Sequence, residues 1–194
     1  MDSPHSNDQK RFVRTATFVG TTGLLVSLAH PLNGIGGLPL LFLLKERLGL
    51  APQALALFMF VASTPMYVKP LTGLLSDAFP IFGSRRRSYF LLGALLAMAT
   101  TLALILFPQR YAVLLVGTFL ILLMLTLVST TAGAIQVEQG QALGATGRLT
   151  AIRSVMLNTG SVLASVLGGY LVGHAFGWTC GLLAAGFLLL VPVG

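Results

Sequence analysis

The sequence predicts an all-α integral membrane protein with six transmembrane helices, and three observations predict it. The first is composition. Of 194 residues, 55% are hydrophobic and only 9% are charged, too few charges to cover a soluble domain of this size. The second is a recurrence of apolar runs of roughly 20 residues, the length a helix needs to cross a bilayer. The third is the placement of the basic residues, which cluster between those runs and do so unequally. Six such helices can form two inverted three-helix units.

The first run covers about 17–44 and is longer than a bilayer requires. It contains the stretch HPLNGIGGLP, with Pro31, Pro39, Gly34, Gly36 and Gly37, which predicts a tilt or a kink. The second run covers about 52–76, and Pro65 and Pro70 within it should bend the helix and free backbone carbonyls. The third, fourth, fifth and sixth cover about 89–107, 111–137, 149–176 and 177–193. On the fifth, Ser161, Ser165, Gly169 and Gly173 recur every four residues. Such a small-residue stripe lets another helix approach closely. Residues 1–16 read as a polar cytoplasmic tail and 17–194 as the bundle. The run after the tail is too long for a signal-peptide core, so an uncleaved start is expected.

Orientation follows from the connections. KERLGLAP and PQR place Lys45, Arg47 and Arg110 on one face. Lys10, Arg11, Arg14, Arg85, Arg86, Arg87, Arg148 and Arg153 lie on the other, while Lys69 falls inside the second helix. Basic loops stay cytoplasmic, so both termini are expected there, with a cell inner membrane as the location. A net charge of +7 would in a soluble chain suggest nucleic acid. Here it marks topology, and nucleic acid is not an expected partner. The lone Cys180 permits no internal disulfide. With no Cys/His metal spacing, phosphate-binding Gly-Lys-Ser loop or paired membrane carboxylates, neither an enzyme nor a cofactor is expected.

Several charges sit at the wrong ends of their helices. Asp77 and Glu138 close the second and fourth, where helix ends carry partial negative charge. Arg85, Arg86 and Arg87 precede the third, and Arg153 falls in the first turn of the fifth, where cations are disfavoured. The misplacements offset one another if Asp77, Glu138, one or more of Arg85 to Arg87, and Arg148 or Arg153 form a cluster that favours one helix arrangement and breaks in another. The plainer alternative is a set of solvated charges that only mark topology.

The same residues carry a resemblance. Gly73-Leu74-Leu75-Ser76-Asp77 followed by a basic run resembles the loop motif between helices two and three of the major facilitator superfamily. The longer stretch from Lys69-Pro70 through Phe79-Pro80-Ile81 and Gly83 to Arg85-Arg86-Arg87-Ser88-Tyr89 is similar to the folate–biopterin transporter family within it. GIGGLPLLFLLKERLGLAP is similar to that family's first helix and following loop, Val137-Glu138 to its fourth-helix ending, and Gly168-Gly169 to its fifth helix. The resemblance covers roughly residues 20–175. It implies a twelve-helix secondary transporter with two six-helix bundles around a central cavity, of which this chain is the amino-terminal half, and folates and pterins as the substrate class. The chain departs from the pattern in having no acidic residue from Ser129 to Gln136 and in stopping after six helices.

Charged residues inside a membrane default to function. Lys69 can attract the carboxylates of a folate-like anion, or its stem can snorkel to the interface. His30 and Asn33 lie beside the glycine-rich break, where a histidine can bind substrate, exchange a proton or simply pack. Ser129, Thr130 and Asn158 can hydrogen-bond a substrate or a neighbouring helix. Tyr67 can stack on a pterin ring or pack among apolar side chains. Gly73, Asp77, Arg85, Arg86, Arg87, Glu138 and Arg153 are the expected conformational switch.

The function expected is alternating-access transport of a small organic solute. One bundle supplies half a cavity, so a second six-helix bundle is needed from the same longer chain, a homodimer or a separate chain. A fragment of a longer transporter is the favoured reading, ahead of a half-transporter and a non-transporting membrane interaction protein.

Overall fold

The computed structural model describes residues 4–78 and 86–192, with side chains described for 8–73 and 86–192. Eight α-helices appear among them: α1 (Pro4–Leu28), α2 (Gly37–Phe42), α3 (Pro52–Tyr67), α4 (Lys69–Ala78), α5 (Arg87–Leu106), α6 (Tyr111–Ala142), α7 (Thr146–Leu171) and α8 (Phe176–Leu190). A π-helical turn, Leu43–Arg47, follows α2 directly.

The first expected helix is broken rather than kinked. α1 begins at Pro4, within the stretch expected to be a tail, and stops at Leu28. Pro31 forces the stop, because its ring disfavours helical backbone at His30. The chain then turns back on itself through 29–36. A Cβ on Gly34 would lie 2.5 Å from the carbonyl oxygens of His30, Leu28 and Ser27, so only glycine fits there. The second expected helix is also two. α3 starts on Pro52, favourably placed in the first turn. It ends at Tyr67, and Val68 leaves helical geometry before α4 restarts at Lys69. Pro70 has no N–H to continue the ladder and restricts the residue before it, so the break falls just ahead of it.

α6 is the central element, packed against α1, α3, α4, α5 and α7. Its 32 residues span about 48 Å, well beyond a bilayer core of ~30 Å. It ends in a Schellman motif: Ala145 N–H bonds Gly140 O at 2.9 Å and Gly144 N–H bonds Gln141 O at 3.2 Å. Gly144 adopts the φ of +58° that this ending requires. Phe58, Phe90, Phe187, Leu122 and Val128 are fully enclosed in the core.

Four helical stretches among the described residues are long and apolar enough to cross a membrane: Pro52–Gly73, Arg87–Leu106, Tyr111–Ala142 and Thr146–Leu171. α8 is apolar but has only 15 residues, about 22 Å. The first expected span is divided between α1, whose early turns are polar, and the broken segment after it. The expected first span is therefore not one continuous helix, and the cause is the proline and glycine content of residues 29–39.

The small-residue stripe is corrected by one residue. Ser165, Gly169 and Gly173 are exposed, and a Cβ on Gly169 would meet nothing within 4 Å. The face of α7 that touches other elements is Gly160, Ala164 and Gly168. A Cβ on Gly160 would fall 2.8 Å from Ser27 Cβ and 3.0 Å from Leu24 O, so this glycine sets how closely α1 approaches α7. We expect Gly160→Ala to lower stability by about 1–3 kcal/mol through forced separation of α1 and α7. Gly169→Ala should be neutral or stabilising by about 0.5–1 kcal/mol. Thermal unfolding of both variants in detergent measures the contrast.

Candidate functional site

The two proline-induced breaks face one another across a cavity of about 290 Å³. The break after α1 contributes His30 and Asn33. The break between α3 and α4 contributes Lys69, α6 contributes Thr126 and Ser129, and α7 contributes Arg153 and Ser161. Each break ends a helix at the depth where a polar side chain is needed, and it frees backbone that the cavity can solvate.

Arg153 is the eighth residue of α7, because that helix starts at Thr146. The expectation that it sits in the first turn is therefore corrected: it lies about two turns in from the start of the helix. Its Nη1 donates to Gln136 Oε1 at 3.2 Å, and its Nη2 to Ser129 O at 3.2 Å and Ser129 Oγ at 3.4 Å. Gln136 is only 5% exposed and donates from Nε2 to Thr150 Oγ1 at 3.1 Å. Gly133 leaves room for the guanidinium, since a Cβ there would lie 2.9 Å from Nη1. These partners are neutral, so they orient the arginine without cancelling its charge. Lys69 lines the same cavity, and among the described residues the lining contains no carboxylate. Two cations therefore share one small cavity, an arrangement that favours an anionic guest.

His30 is held by its own backbone. Its Nδ1 accepts from the N–H groups of Leu32 at 3.2 Å and Asn33 at 3.0 Å. With that nitrogen accepting, the neutral ring carries its proton on Nε2, which leaves Nε2–H as a donor. Ser27 Oγ donates to Leu157 O at 2.8 Å and lies 3.0 Å from Ser161 Oγ, joining α1 to α7 beside the cavity.

Of the residues expected to bind substrate, His30, Asn33, Lys69 and Ser129 come together here. Tyr67 does not; it is 75% exposed and points away from the lining. Thr130 also lies outside the lining. Its hydroxyl donates to Thr126 O at 2.8 Å and accepts from Thr72 Oγ1 at 3.2 Å, tying α4 to α6. Asn158 is exposed on α7, outside the lining.

The described residues among those expected to form a charge cluster are spread over four places. Arg86 Nη1 and Glu138 Oε1 pair at 2.5 Å, joining the start of α5 to the end of α6. Arg148 lies over the Phe12 ring, 4.5 Å from its centroid, in a cation–π contact with α1. Arg153 faces the cavity, and Arg87 faces a separate groove. Gly73 lies on α4 beside Thr130, with room for an ordinary contact. Arg85 and the Asp77 side chain lie outside the described residues.

Sequence reasoning missed the cavity role of Arg153 and the parts played by Gln136 and Gly133. The available signal was an arginine inside a long apolar helix, which requires buried acceptors. Among the described residues, no group of His, Cys, Asp and Glu could hold a metal ion.

Apolar membrane-length helices around a polar, cation-lined cavity define an integral membrane protein with room for a small solute. The chain belongs to the BT1 family, whose family model matches residues 32–193. It is 35% identical over 101 residues to the folate-biopterin transporter of Synechocystis sp., covering 48% of this chain and 20% of that protein. It is 33% identical over 157 residues to the "Probable folate-biopterin transporter 9, chloroplastic" of Arabidopsis thaliana, covering 78% of this chain and 29% of that protein. Folate transporter 1 of Plasmodium falciparum is 31% identical over 80 residues, covering 41% of this chain and 16% of that protein. The matched stretch thus spans less than a third of the length of each of these three curated relatives. No solved structure matches the chain.

The Arg86–Glu138 pair is open to direct measurement. Arg86 is mostly covered and Glu138 mostly exposed, so the pair is worth about 0.5–1 kcal/mol. A double-mutant cycle of Arg86→Gln and Glu138→Gln, read by chemical or thermal unfolding in detergent, should return a coupling of that size. Additive effects would mean the two charges do not support each other.

Proposed function

We propose that this chain forms one bundle of a secondary transporter that moves a small organic anion of the folate or pterin class by alternating access. The observation that supports this most is the cavity, which Lys69 and Arg153 both line with no carboxylate among the described lining residues. The substrate class follows from the relatives, which are folate and folate-biopterin transporters by name. In this reading Lys69 and Arg153 take the carboxylate end of the substrate, and Arg153 is oriented for it by Gln136 and Ser129. His30 donates from Nε2, and Asn33 and Ser129 supply uncharged hydrogen bonds. The protein works as a carrier rather than an enzyme.

The transport cycle needs a second six-helix bundle, from the same longer chain, a second copy or another chain, in the two-bundle layout of the major facilitator superfamily. The exposed faces of α3 and α7 are the surfaces for that bundle and for lipid. The end of the bundle with Arg86 and Glu138 faces the cytoplasm, as do both termini. Gly73, Asp77, Arg85 and Arg86 with Glu138 form a latch there that closes in one state and opens in the other.

Titration of folic acid into the purified chain in lipid nanodiscs tests this reading. Lys69→Gln and Arg153→Gln should each weaken binding by about 10–100-fold, the loss expected for one hydrogen bond to a charged group. Lys45→Gln, in the π-helical turn away from the cavity, should leave affinity unchanged. Equal affinity for wild type and both cavity variants would overturn the assignment of the cavity as the substrate site.

A further inference from the structure

A second and larger hollow lies at the end of the bundle that carries the amino terminus. It has a volume of about 860 Å³, and its walls include Arg11, Arg14 and Phe18 of α1, Arg87 of α5, and Ile135 and Gln139 of α6. Three arginines border it, and among the described residues its lining holds no carboxylate. Among the described residues, none of these three arginines takes part in an ion pair. Their neighbours are engaged: Arg86 pairs with Glu138, and Arg148 stacks on Phe12. Three like charges around one hollow repel one another unless a counter-anion sits among them.

The position of the hollow specifies that anion further. Arg87 is the first residue of α5, and the residue before it provides no side-chain cap, so the positive end of that helix adds to the arginines. Phe18, Ile135 and Pro192 add apolar side chains to a lining that also holds Thr15, Thr17 and Thr21. The same level is where α1 passes from polar to apolar sequence and where the last turns of α6 outrun the thickness of a bilayer core. Arginines and apolar side chains lining one hollow at the membrane boundary match a phosphate attached to acyl chains better than a phosphate free in solution.

We infer that Arg11, Arg14 and Arg87 form a binding site for the phosphate headgroup of an anionic phospholipid, separate from the solute cavity. Bound there, the lipid ties the amino-terminal turns of α1 to the start of α5. It sits beside the Arg86–Glu138 pair without using it.

The test uses the full chain in nanodiscs of phosphatidylcholine alone and of phosphatidylcholine with phosphatidylglycerol. Thermal unfolding and lipid retention by native mass spectrometry are the readouts. The wild type should unfold at a higher temperature with phosphatidylglycerol and should retain it in preference to phosphatidylcholine. Each of Arg11→Gln, Arg14→Gln and Arg87→Gln should reduce that preference about fivefold, the effect of one basic residue at an anionic surface. Arg47→Gln, which removes a surface arginine elsewhere, should leave it intact. Circular dichroism confirms that each variant is folded. No preference in the wild type would overturn the inference, as would equal loss from Arg47→Gln and the groove variants. In a separate arm, inorganic phosphate is added to the phosphatidylcholine discs. No stabilisation is expected; stabilisation matching that by phosphatidylglycerol would assign the hollow to a soluble phosphate and overturn the lipid assignment.

Discussion

A guanidinium two turns inside an apolar helix must find its acceptors within the protein, because a bilayer core offers none. Arg153 finds them on α6, in Gln136 and Ser129. That requirement organises much of the bundle. It fixes the rotation of α7 against α6 and reserves the space at Gly133. It also buries Gln136, which in turn holds Thr150. Because every partner in this chain of contacts is neutral, the positive charge is positioned but not cancelled. The electrostatic demand is passed on to whatever enters the cavity.

The rest of the cavity is made by backbone that prolines refuse to leave helical. Pro31 ends α1 so that His30 and Asn33 lie in a turn, and Pro70 separates α3 from α4 so that Lys69 heads a new helix. An unbroken pair of helices would bury these groups against their own turns. The close contact of α1 with α7 at Gly160 and Ser27 then brings the first break within reach of Arg153. Irregular backbone, a costly feature in a membrane, thus appears where it borders the polar cavity.

Much of this architecture was legible in the sequence. The composition and the apolar runs located α5, α6, α7 and α8 to within a few residues, because each run is long and has few breakers. The residues His30, Asn33, Lys69 and Ser129 could be picked out because polar groups in apolar runs are rare enough to notice. Tyr67 and Asn158 were legible only as types, since which face of a helix turns inward depends on its neighbours. The same limit explains the stripe on α7. Ser161, Ser165, Gly169 and Gly173 have the right spacing and Ser161 reaches Ser27, but the close backbone approach is made one residue away by Gly160, Ala164 and Gly168. Arg153 was placed too near a helix end because Thr146 to Arg148 read as loop. A start three residues earlier moves it from a position beside Glu138 to one inside the cavity.

We propose that Lys69 and Arg153, which line one cavity, together recognise carboxylate. Calorimetric comparison of folic acid with its dimethyl ester on the unmodified chain in nanodiscs tests this most directly, since the two ligands share every ring and differ only in the masked charges. Loss of binding by the ester, by tenfold or more, is the predicted result. Equal binding of acid and ester would contradict carboxylate recognition and leave the two cations without a role in it.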